Sequence, residues 1–268
     1  MPTSCARPGI SELIHPTAIV DSAAALGDGV EVGPFSVIGP RVEVGAGSRI
    51  GPHAVIMGPT RIGRDNRIYQ FASVGEAPQD KKYGGEDTWL ALGDRNVIRE
   101  FATLHRGTVQ DQGITRIGND NLFMAYTHVA HDCRIGDHVI LANAASLGGH
   151  VKIDDWAVLG GFTIVHQFCR IGAHSFCAMG SVVTKDVPTY VTVGGHPAAP
   201  RGINSEGLKR RGFPEQTIQA IKRAYRLLYL SGLKLEEATA QLRVLAETTP
   251  ELGPLAELVA TSERSIIR

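Results

Sequence analysis

The 268-residue sequence has little of what marks several large classes of protein. Its four cysteines, none in a CxxC pair, are too few for a disulfide scaffold. The 27 basic and 27 acidic residues cancel, so no overall charge favours nucleic acid or a membrane surface. No apolar run approaches the about 20 residues of a membrane-spanning helix, and the N-terminus lacks the apolar core of a signal peptide. We therefore expect a soluble cytoplasmic protein with no nucleic-acid partner and no stable membrane insertion.

Aromatic residues are scarce, at 6%, whereas glycine is abundant, at 31 residues, and this combination is typical of a repetitive fold. Over residues 14–74, every sixth residue is Ile, Leu or Val. The same phase returns over residues 92–104. Shifted by one residue, it then runs over 117–183, where only Phe123 and Cys177 depart from the three aliphatic types. A fixed period of this kind indicates a structure that repeats along the chain.

A period of six matches neither the 3.6-residue period of a helix nor the alternation of a flat strand. It matches short parallel strands on three sides of a prism, with one turn every 18 residues. The anchors then point inward, and burying each one contributes about 1.5–3 kcal/mol. Glycine follows 13 of the 26 anchors, which we interpret as corners with unusual backbone dihedrals. Cys133 and Cys169 also fall on inward positions and are predicted to be buried and unpaired. The pattern predicts a mainly β protein, a parallel β-helix.

Two interruptions and one change of period divide the chain. Residues 75–91 and 105–116 break the repeat and are predicted to be loops ejected from the coil, which are often functional. In the last quarter of the chain the apolar spacing becomes helical. We therefore predict a β-helix over residues 1–190, a connector over 191–203 and an α-helical domain over 204–268.

The segment THVAHD, residues 127–132, has two histidines three residues apart, the second followed by an aspartate. In an 18-residue register, the positions above His131 on the next two coils are Gly149 and Gln167, at about 4.8 Å per coil. The same region of the surface is predicted to gather His128, Asp132, His150 and His166.

Spacing alone leaves three interpretations of this cluster open. The histidines are solvated surface groups, or they bind zinc, or His131 is a general base oriented by Asp132, with the Gly149 N–H as an oxyanion donor. Neighbouring residues on a flat strand point in opposite directions. The third interpretation therefore requires a corner that turns Asp132 back toward His131.

Longer motifs resemble one family. DNRIYQFAS at 65–73, HVAHDC at 128–133 and EGLKRRGF at 206–213 are similar to segments of the acyl-[acyl-carrier-protein]–UDP-N-acetylglucosamine O-acyltransferases, which are hexapeptide-repeat acyltransferases. The similarity covers nearly the whole chain. It implies a left-handed coil, although parallel crossovers are generally right-handed. One departure lies in the connector, where Pro197 replaces a family histidine and His196 lies one place earlier.

The resemblance implies transfer of an R-3-hydroxyacyl group from acyl carrier protein to the 3-hydroxyl of UDP-N-acetylglucosamine, the first step of lipid A biosynthesis. In that reaction His131 is the general base, Asp132 orients it and the Gly149 N–H stabilises the oxyanion. The donor is the phosphopantetheine thioester of the carrier protein, and neither a metal nor a diffusible cofactor is implied. The alternatives are a sister acyltransferase with another acceptor, a zinc lyase of the gamma carbonic anhydrase type and a non-catalytic binding solenoid.

The family also implies roles for residues other than His131, Asp132 and Gly149. Those that match its substrate contacts are Asp80, Lys82, His128, His150, His166, Gln167, Asn204, Glu206, Arg210 and Arg211. The basic stretch over residues 209–226 suits docking of an acidic carrier protein. Met179, in one column with Asn143 and Gly161, is expected to act as an acyl-chain ruler that selects a donor of about ten carbons rather than about fourteen. Together with the family, the outward-facing aromatic residues imply a homotrimer.

Overall fold

The computed structural model of the protein describes residues 13–268, which fall into two compact units. The first unit comprises the described residues up to Tyr126 together with Ala130–Asp132. The second comprises Thr127–Val129 together with Cys133–Arg268. Cys5 lies outside the described residues.

The first unit is a stack of short strands, β1–β15. Their bounds are Ile19–Val20, Ala25–Leu26, Glu31–Val32, Val37–Ile38, Val42–Val44, Arg49–Ile50, Val55–Ile56, Thr60–Ile62, Arg67–Ile68, Ser73–Glu76, Trp89–Leu92, Val97–Ile98, Thr103–His105, Ile114–Ile117 and Leu122–Phe123. Within this unit, strands three apart in sequence pair in parallel, as in β1–β4–β7–β10–β13. The aligned residues Ile19, Val37 and Val55 are 18 apart, as the repeat predicts.

The second unit continues the same pattern in its own strands, β16–β27. Their bounds are His128–Val129, Arg134–Ile135, Ile140–Leu141, Ser146–Leu147, Lys152–Ile153, Val158–Leu159, Ile164–Val165, Arg170–Ile171, Phe176–Cys177, Val182–Val183, Val191–Gly194 and Ala199–Ile203. Here too strands three apart pair in parallel from β16 to β25, so His128, Ser146 and Ile164 align at intervals of 18. β26 and β27 form an antiparallel pair. The predicted parallel β-helix is confirmed in each unit.

The glycines that follow the anchors were predicted to adopt unusual backbone dihedrals, and this prediction is wrong. Apart from Gly75, their φ angles are not positive; the positive φ angles fall mainly three residues after the anchor, as at Phe35 with φ 58°. A Cβ added to Gly33 would lie 2.7 Å from the backbone nitrogen of Pro52 on the next coil. Close approach of stacked backbones, not an unusual dihedral, therefore excludes a side chain at these positions.

Both predicted interruptions lie where the structure leaves the strands. β10 ends at Glu76 and β11 begins at Trp89, and β13 ends at His105 and β14 begins at Ile114. The ejected loops are thus 77–88 and 106–113. The predicted connector, by contrast, consists of strands β26 and β27, and β26 pairs with β24 in the coil.

Four α-helices and one 3-10 turn follow the strands of the second unit. They are α1 (Ser205–Arg210), α2 (Glu215–Tyr229), α3 (Leu235–Thr248), the 3-10 turn Pro250–Leu252 and α4 (Gly253–Ala260). On α2, Ile218, Ile221 and Leu228 recur at helical spacing and are buried in one apolar cluster with side chains of α3 and α4. Of the helices over residues 13–268, none is long and apolar enough to cross a membrane.

Candidate active site

His131 and Asp132 form a hydrogen-bonded pair. The distance from His131 Nδ1 to Asp132 Oδ2 is 2.9 Å. The side chain of Asp132 is 1% exposed and that of His131 is 16% exposed. Asp132 occupies the corner three residues after the anchor Val129, and its φ of 59° turns the carboxylate toward its neighbour. The corner that the general-base interpretation requires is therefore present.

The carboxylate of Asp132 is held by a residue that the repeat did not single out. Thr108, in the second ejected loop, donates its backbone N–H to Oδ1 at 2.9 Å and its hydroxyl to Oδ2 at 2.6 Å. The backbone N–H of Asp132 donates to the hydroxyl oxygen of Thr115 at 2.8 Å. The repeat does not align Thr108 with the site, because loops leave the 18-residue register on which the other positions are aligned.

These contacts assign a tautomer to His131. Both carboxylate oxygens of Asp132 accept hydrogen from Thr108, so the carboxylate is an acceptor and the ring nitrogen beside it is the donor. With the proton on Nδ1, the lone pair is on Nε2. An imidazole held in this way by a buried carboxylate can take a proton from a hydroxyl group and stabilise the resulting positive charge. Both oxygens of Asp132 accept hydrogen bonds, as expected of a carboxylate that orients an imidazole.

Asp80 and Lys82 lie together in the first ejected loop. The N–H of Lys82 donates to Asp80 Oδ1 at 3.0 Å, which closes a local turn and leaves the ammonium group exposed. The loop is tied to the coil by the buried Arg106. This guanidinium donates to the carbonyl oxygen of Gly75 at 2.8 Å and to the hydroxyl of Tyr83 at 3.2 Å. Arg106 thus holds this loop in place, a contact that the repeat does not predict.

The remaining polar candidates on the coil lie in the second unit. The ring of His150 stacks on Phe168 with centroids 4.4 Å apart. His166 and Gln167 are exposed on the next coil, and Nδ1 of His166 lies 3.3 Å from Nη2 of Arg264. Arg264 belongs to the C-terminal segment, which the sequence reasoning did not connect with the site.

His128 and Gly149 are positioned by the strand ladder. His128 opens β16 and donates its N–H to the carbonyl oxygen of Ala145 at 3.0 Å. Gly149 is buried, and its carbonyl oxygen accepts the N–H of Phe168 at 3.0 Å.

Asn204 is engaged in structural contacts. Its Oδ1 caps α1 by accepting the N–H of Gly207 at 3.1 Å, and its Nδ2 donates to the carbonyl oxygen of His174 at 2.9 Å. Glu206 and Arg210 are exposed on α1, and Glu206 lies 3.7 Å from the ammonium group of Lys209.

Arg211 lies against the coil. It donates to the carbonyl oxygen of Trp156 at 3.0 Å, and its guanidinium carbon is 5.2 Å from the centre of the Trp156 ring. Burial lowers the pKa of Arg211. Burial and, secondarily, the positive charge of Arg211 lower the pKa of His174 to about 4. Of the two adjacent arginines, Arg210 is therefore the one whose charge faces water.

Met179 is a large apolar side chain that is 78% exposed. Its neighbour Gly180 donates its N–H to the carbonyl oxygen of Gly161 at 2.8 Å, and Phe162 donates to that of Asn143 at 2.9 Å. Positions 143, 161 and 179 thus occupy successive coils. Gly161 adds no side chain beside Met179, so the thioether projects from this surface.

The outward aromatic residues on which the trimer was predicted differ in exposure. Phe123 is fully buried, as an anchor should be, whereas Tyr126, Phe162 and Phe168 are 61%, 67% and 51% exposed. His196 and Pro197, the residues that depart from the family pattern, are exposed between β26 and β27.

Two of the cysteines in the described part of the chain are not suited to act as a nucleophile. Cys133, Cys169 and Cys177 are buried and form no disulfide bond among the described residues, as predicted for the first two. Burial raises the pKa of Cys169 to about 11 and that of Cys177 to about 12, so both thiols are protonated at neutral pH.

Family models match two parts of the chain. The model described as Udp N-acetylglucosamine O-acyltransferase, Domain 2, matches residues 186–267. The bacterial transferase hexapeptide model (six repeats) matches residues 23–58 and 114–149.

Individual relatives cover nearly all of it. An acyl-[acyl-carrier-protein]–UDP-N-acetylglucosamine O-acyltransferase of Janthinobacterium sp. (strain Marseille) is 60% identical over 260 residues, which are 96% of this chain and 99% of that protein. The crystal structure of the UDP-N-acetylglucosamine acyltransferase of Francisella novicida is 43% identical and matches with a TM-score of 0.94 over 95% of this chain and 94% of that one.

A third similar protein is the UDP-N-acetylglucosamine O-acyltransferase of Moraxella catarrhalis RH4, whose structure is 46% identical and matches with a TM-score of 0.93 over 96% of this chain and 100% of that one. The predicted fold class, a left-handed parallel β-helix with a C-terminal α-helical domain, is thereby confirmed. At these identities and coverages, the chain belongs to the acyl-[acyl-carrier-protein]–UDP-N-acetylglucosamine O-acyltransferase family.

Proposed function

We propose that this protein transfers an R-3-hydroxyacyl group from acyl carrier protein to the 3-hydroxyl of UDP-N-acetylglucosamine, the first step of lipid A biosynthesis. The observation that carries the proposal is the array of His131, Asp132 and Thr108 in a member of this acyltransferase family. Acyl transfer to an alcohol needs a base that takes the hydroxyl proton, and this array supplies one.

The reaction begins when Nε2 of His131 takes the proton of the sugar 3-hydroxyl as its oxygen attacks the thioester carbonyl. Asp132 stabilises the imidazolium that forms. When the tetrahedral intermediate collapses, the carbon–sulfur bond breaks and the imidazolium returns its proton to the departing phosphopantetheine thiolate. General base catalysis of this kind contributes on the order of 10²–10⁴ in rate.

Gly149 is proposed to supply the oxyanion donor. The 18-residue register of the sequence predicts its peptide N–H for this role. Such a donor is worth about 3 kcal/mol in the barrier, because charge develops on the oxygen only in the transition state. The step needs neither a metal nor a diffusible cofactor.

The other polar residues are proposed to bind the two substrates. Those assigned to the sugar nucleotide and the phosphopantetheine arm are Asp80, Lys82, His128, His150, His166, Gln167, Asn204, Glu206, Arg210 and Arg211. The exposure of Lys82 and Arg210 supports direct contacts with anionic groups of the substrates. The hydrogen bonds of Asn204 and Arg211 to the coil support a role in shaping the substrate-binding surface.

Assembly and location follow from the same proposal. Acyl carrier protein is acidic, and basic residues of α1 and α2 form a complementary surface. The exposed aromatic side chains of the coil support a homotrimer. Both substrates are soluble cytoplasmic molecules, so we assign the protein to the cytoplasm.

Met179 is proposed to limit the acyl chain to about ten carbons rather than about fourteen, because each methylene beyond the thioether loses its apolar contact.

Thiol release from R-3-hydroxydecanoyl carrier protein tests the proposal. Wild type should release thiol only when UDP-N-acetylglucosamine is present, and His131→Ala should lower kcat by about 10²-fold or more. His15→Ala is the matched control, since His15 is an exposed histidine on the first coil. Nucleotide-independent release, full activity of His131→Ala, or a stoichiometric metal required for turnover would each overturn the proposal.

A further inference from the structure

Thr108 occupies an unusual place for a loop residue. It is 1% exposed, although it belongs to the ejected loop between β13 and β14. Both of its donors, the backbone N–H and the side-chain hydroxyl, point to the single carboxylate of Asp132, at 2.9 Å and 2.6 Å. A loop residue that donates two hydrogen bonds to one buried carboxylate can set the orientation of that carboxylate.

The residues before Thr108 fix it in position. Arg106 donates its backbone N–H to the carbonyl oxygen of Glu76 at 3.1 Å, and Gly107 donates its N–H to that of Trp89 at 3.1 Å. A Cβ on Gly107 would lie 2.2 Å from the backbone nitrogen of Ile114, so the two ends of the loop are in close backbone contact. Hydrogen bonds from the two preceding residues to β10 and β11 therefore fix Thr108 next to Asp132, although Thr108 belongs to a loop.

The two contacts at Oδ2 of Asp132 determine what this does for the base. That oxygen accepts hydrogen from both the Thr108 hydroxyl and His131 Nδ1. The Thr108 N–H holds the other oxygen, so rotation of the carboxylate about its Cβ–Cγ bond breaks both Thr108 contacts. The two hydrogen bonds from Thr108 thus fix the plane of the carboxylate and, through it, the orientation of the His131 ring.

We propose that Thr108 is a positioning residue of the acyl transfer: its hydroxyl holds Oδ2 of Asp132 in line with His131 Nδ1 and so keeps the base aligned and in its active tautomer. The inference rests on the proposed function. Thr108 touches neither substrate in this role, so it acts on the rate of the chemical step and not on substrate binding.

The test is steady-state thiol release by the full-length protein with Thr108→Val, which is nearly isosteric and keeps the backbone N–H. We expect kcat to fall about 10- to 100-fold, the range for one hydrogen bond to a charged group, with the KM for UDP-N-acetylglucosamine unchanged. Thr108→Ser, which keeps the hydroxyl, should recover most of the loss. Ser48→Ala is the matched control, since it removes a buried hydroxyl that bonds the carbonyl oxygen of Gly63 at 3.0 Å. It should leave kcat unchanged.

A double-mutant cycle separates positioning from general loss of structure. In an Asp132→Ala background the hydroxyl has nothing to orient, so Thr108→Val should cause no further fall in kcat. An equal fall in both backgrounds, wild-type kcat in Thr108→Val, or a change confined to KM overturns the inference. These results are distinct from failure of the proposed function, in which wild type itself releases no thiol in response to the sugar nucleotide. Circular dichroism checks that each variant is folded. If Thr108→Val does not fold, the test is the kcat of Thr108→Ser relative to wild type. A ratio near one supports the inference, and a fall of 10-fold or more overturns it.

Discussion

Replacing Asp132 by asparagine should be more damaging than removing its side chain. In the native protein Oδ1 faces the N–H of Thr108, and Oδ2 faces the Thr108 hydroxyl and His131 Nδ1. The backbone N–H cannot reverse, so the amide oxygen of an asparagine takes the place of Oδ1 and its NH₂ takes the place of Oδ2. The Thr108 hydroxyl can rotate to accept one hydrogen, but His131 Nδ1 must then accept the other. The proton moves to Nε2, where the base needs a lone pair.

The size of the effect follows from the wrong tautomer. We expect kcat of Asp132→Asn to fall about 10³–10⁴-fold, or about 4–5.5 kcal/mol in the barrier, as when the orienting aspartate of a Ser-His-Asp triad becomes asparagine. Asp132→Ala has no NH₂ to force the tautomer, so its loss should be smaller, about 10–100-fold. The KM for UDP-N-acetylglucosamine should change little in either variant, because neither removes a proposed substrate contact.

The assay is initial-rate thiol release at saturating donor and acceptor, with thermal unfolding of each variant as the check on folding. Nitrogen NMR shifts of His131 report directly which ring nitrogen carries the proton. If Asp132→Asn is as active as Asp132→Ala or more so, the tautomer argument is refuted, whatever the absolute rates.

Four further predictions follow from particular contacts. Met179→Gly should move the preferred donor toward longer chains, as measured on a matched series of hydroxyacyl carrier proteins; an unchanged preference discards the ruler. Arg106→Met should lower the free energy of unfolding in urea by about 2–4 kcal/mol, because the backbone carbonyl oxygens it holds lose their buried donor; a loss below about 0.5 kcal/mol contradicts this. Cys169 and Cys177 should resist iodoacetamide at pH 8 until the protein is unfolded, because burial raises both pKa values; labelling of the native protein at either thiol argues against it. The pKa of His174 is lowered from 6.5 to about 4, so the unfolded state binds more protons between these values and stability should rise with pH across that window, by at most about 3 kcal/mol. His174→Phe, which keeps the ring stack, should flatten that pH dependence of unfolding; an unaltered slope would show that other groups cause it.

Much of the site could be predicted because the repeat converts sequence separation into distance. Residues 18 apart stack at the strand spacing, so the sequence alone groups His131 with the polar residues predicted above it, and the anchors identify the interior. The same local rule predicted that Cys133 and Cys169 are buried and outside any disulfide bond.

The sequence by itself determined the period, the inward face and the surface cluster to which the proposed base belongs, because these depend on contacts between successive turns of one regular coil. Only the tertiary structure decided that Asp132 sits in a positive-φ corner, that Thr108 orients its carboxylate, and that Arg211 lies on Trp156. The last two contacts join the coil to a loop and to the helical region, both of which lie outside the repeat. Counting in sixes carries no information about such contacts, since their geometry is set by where the ejected chain folds back.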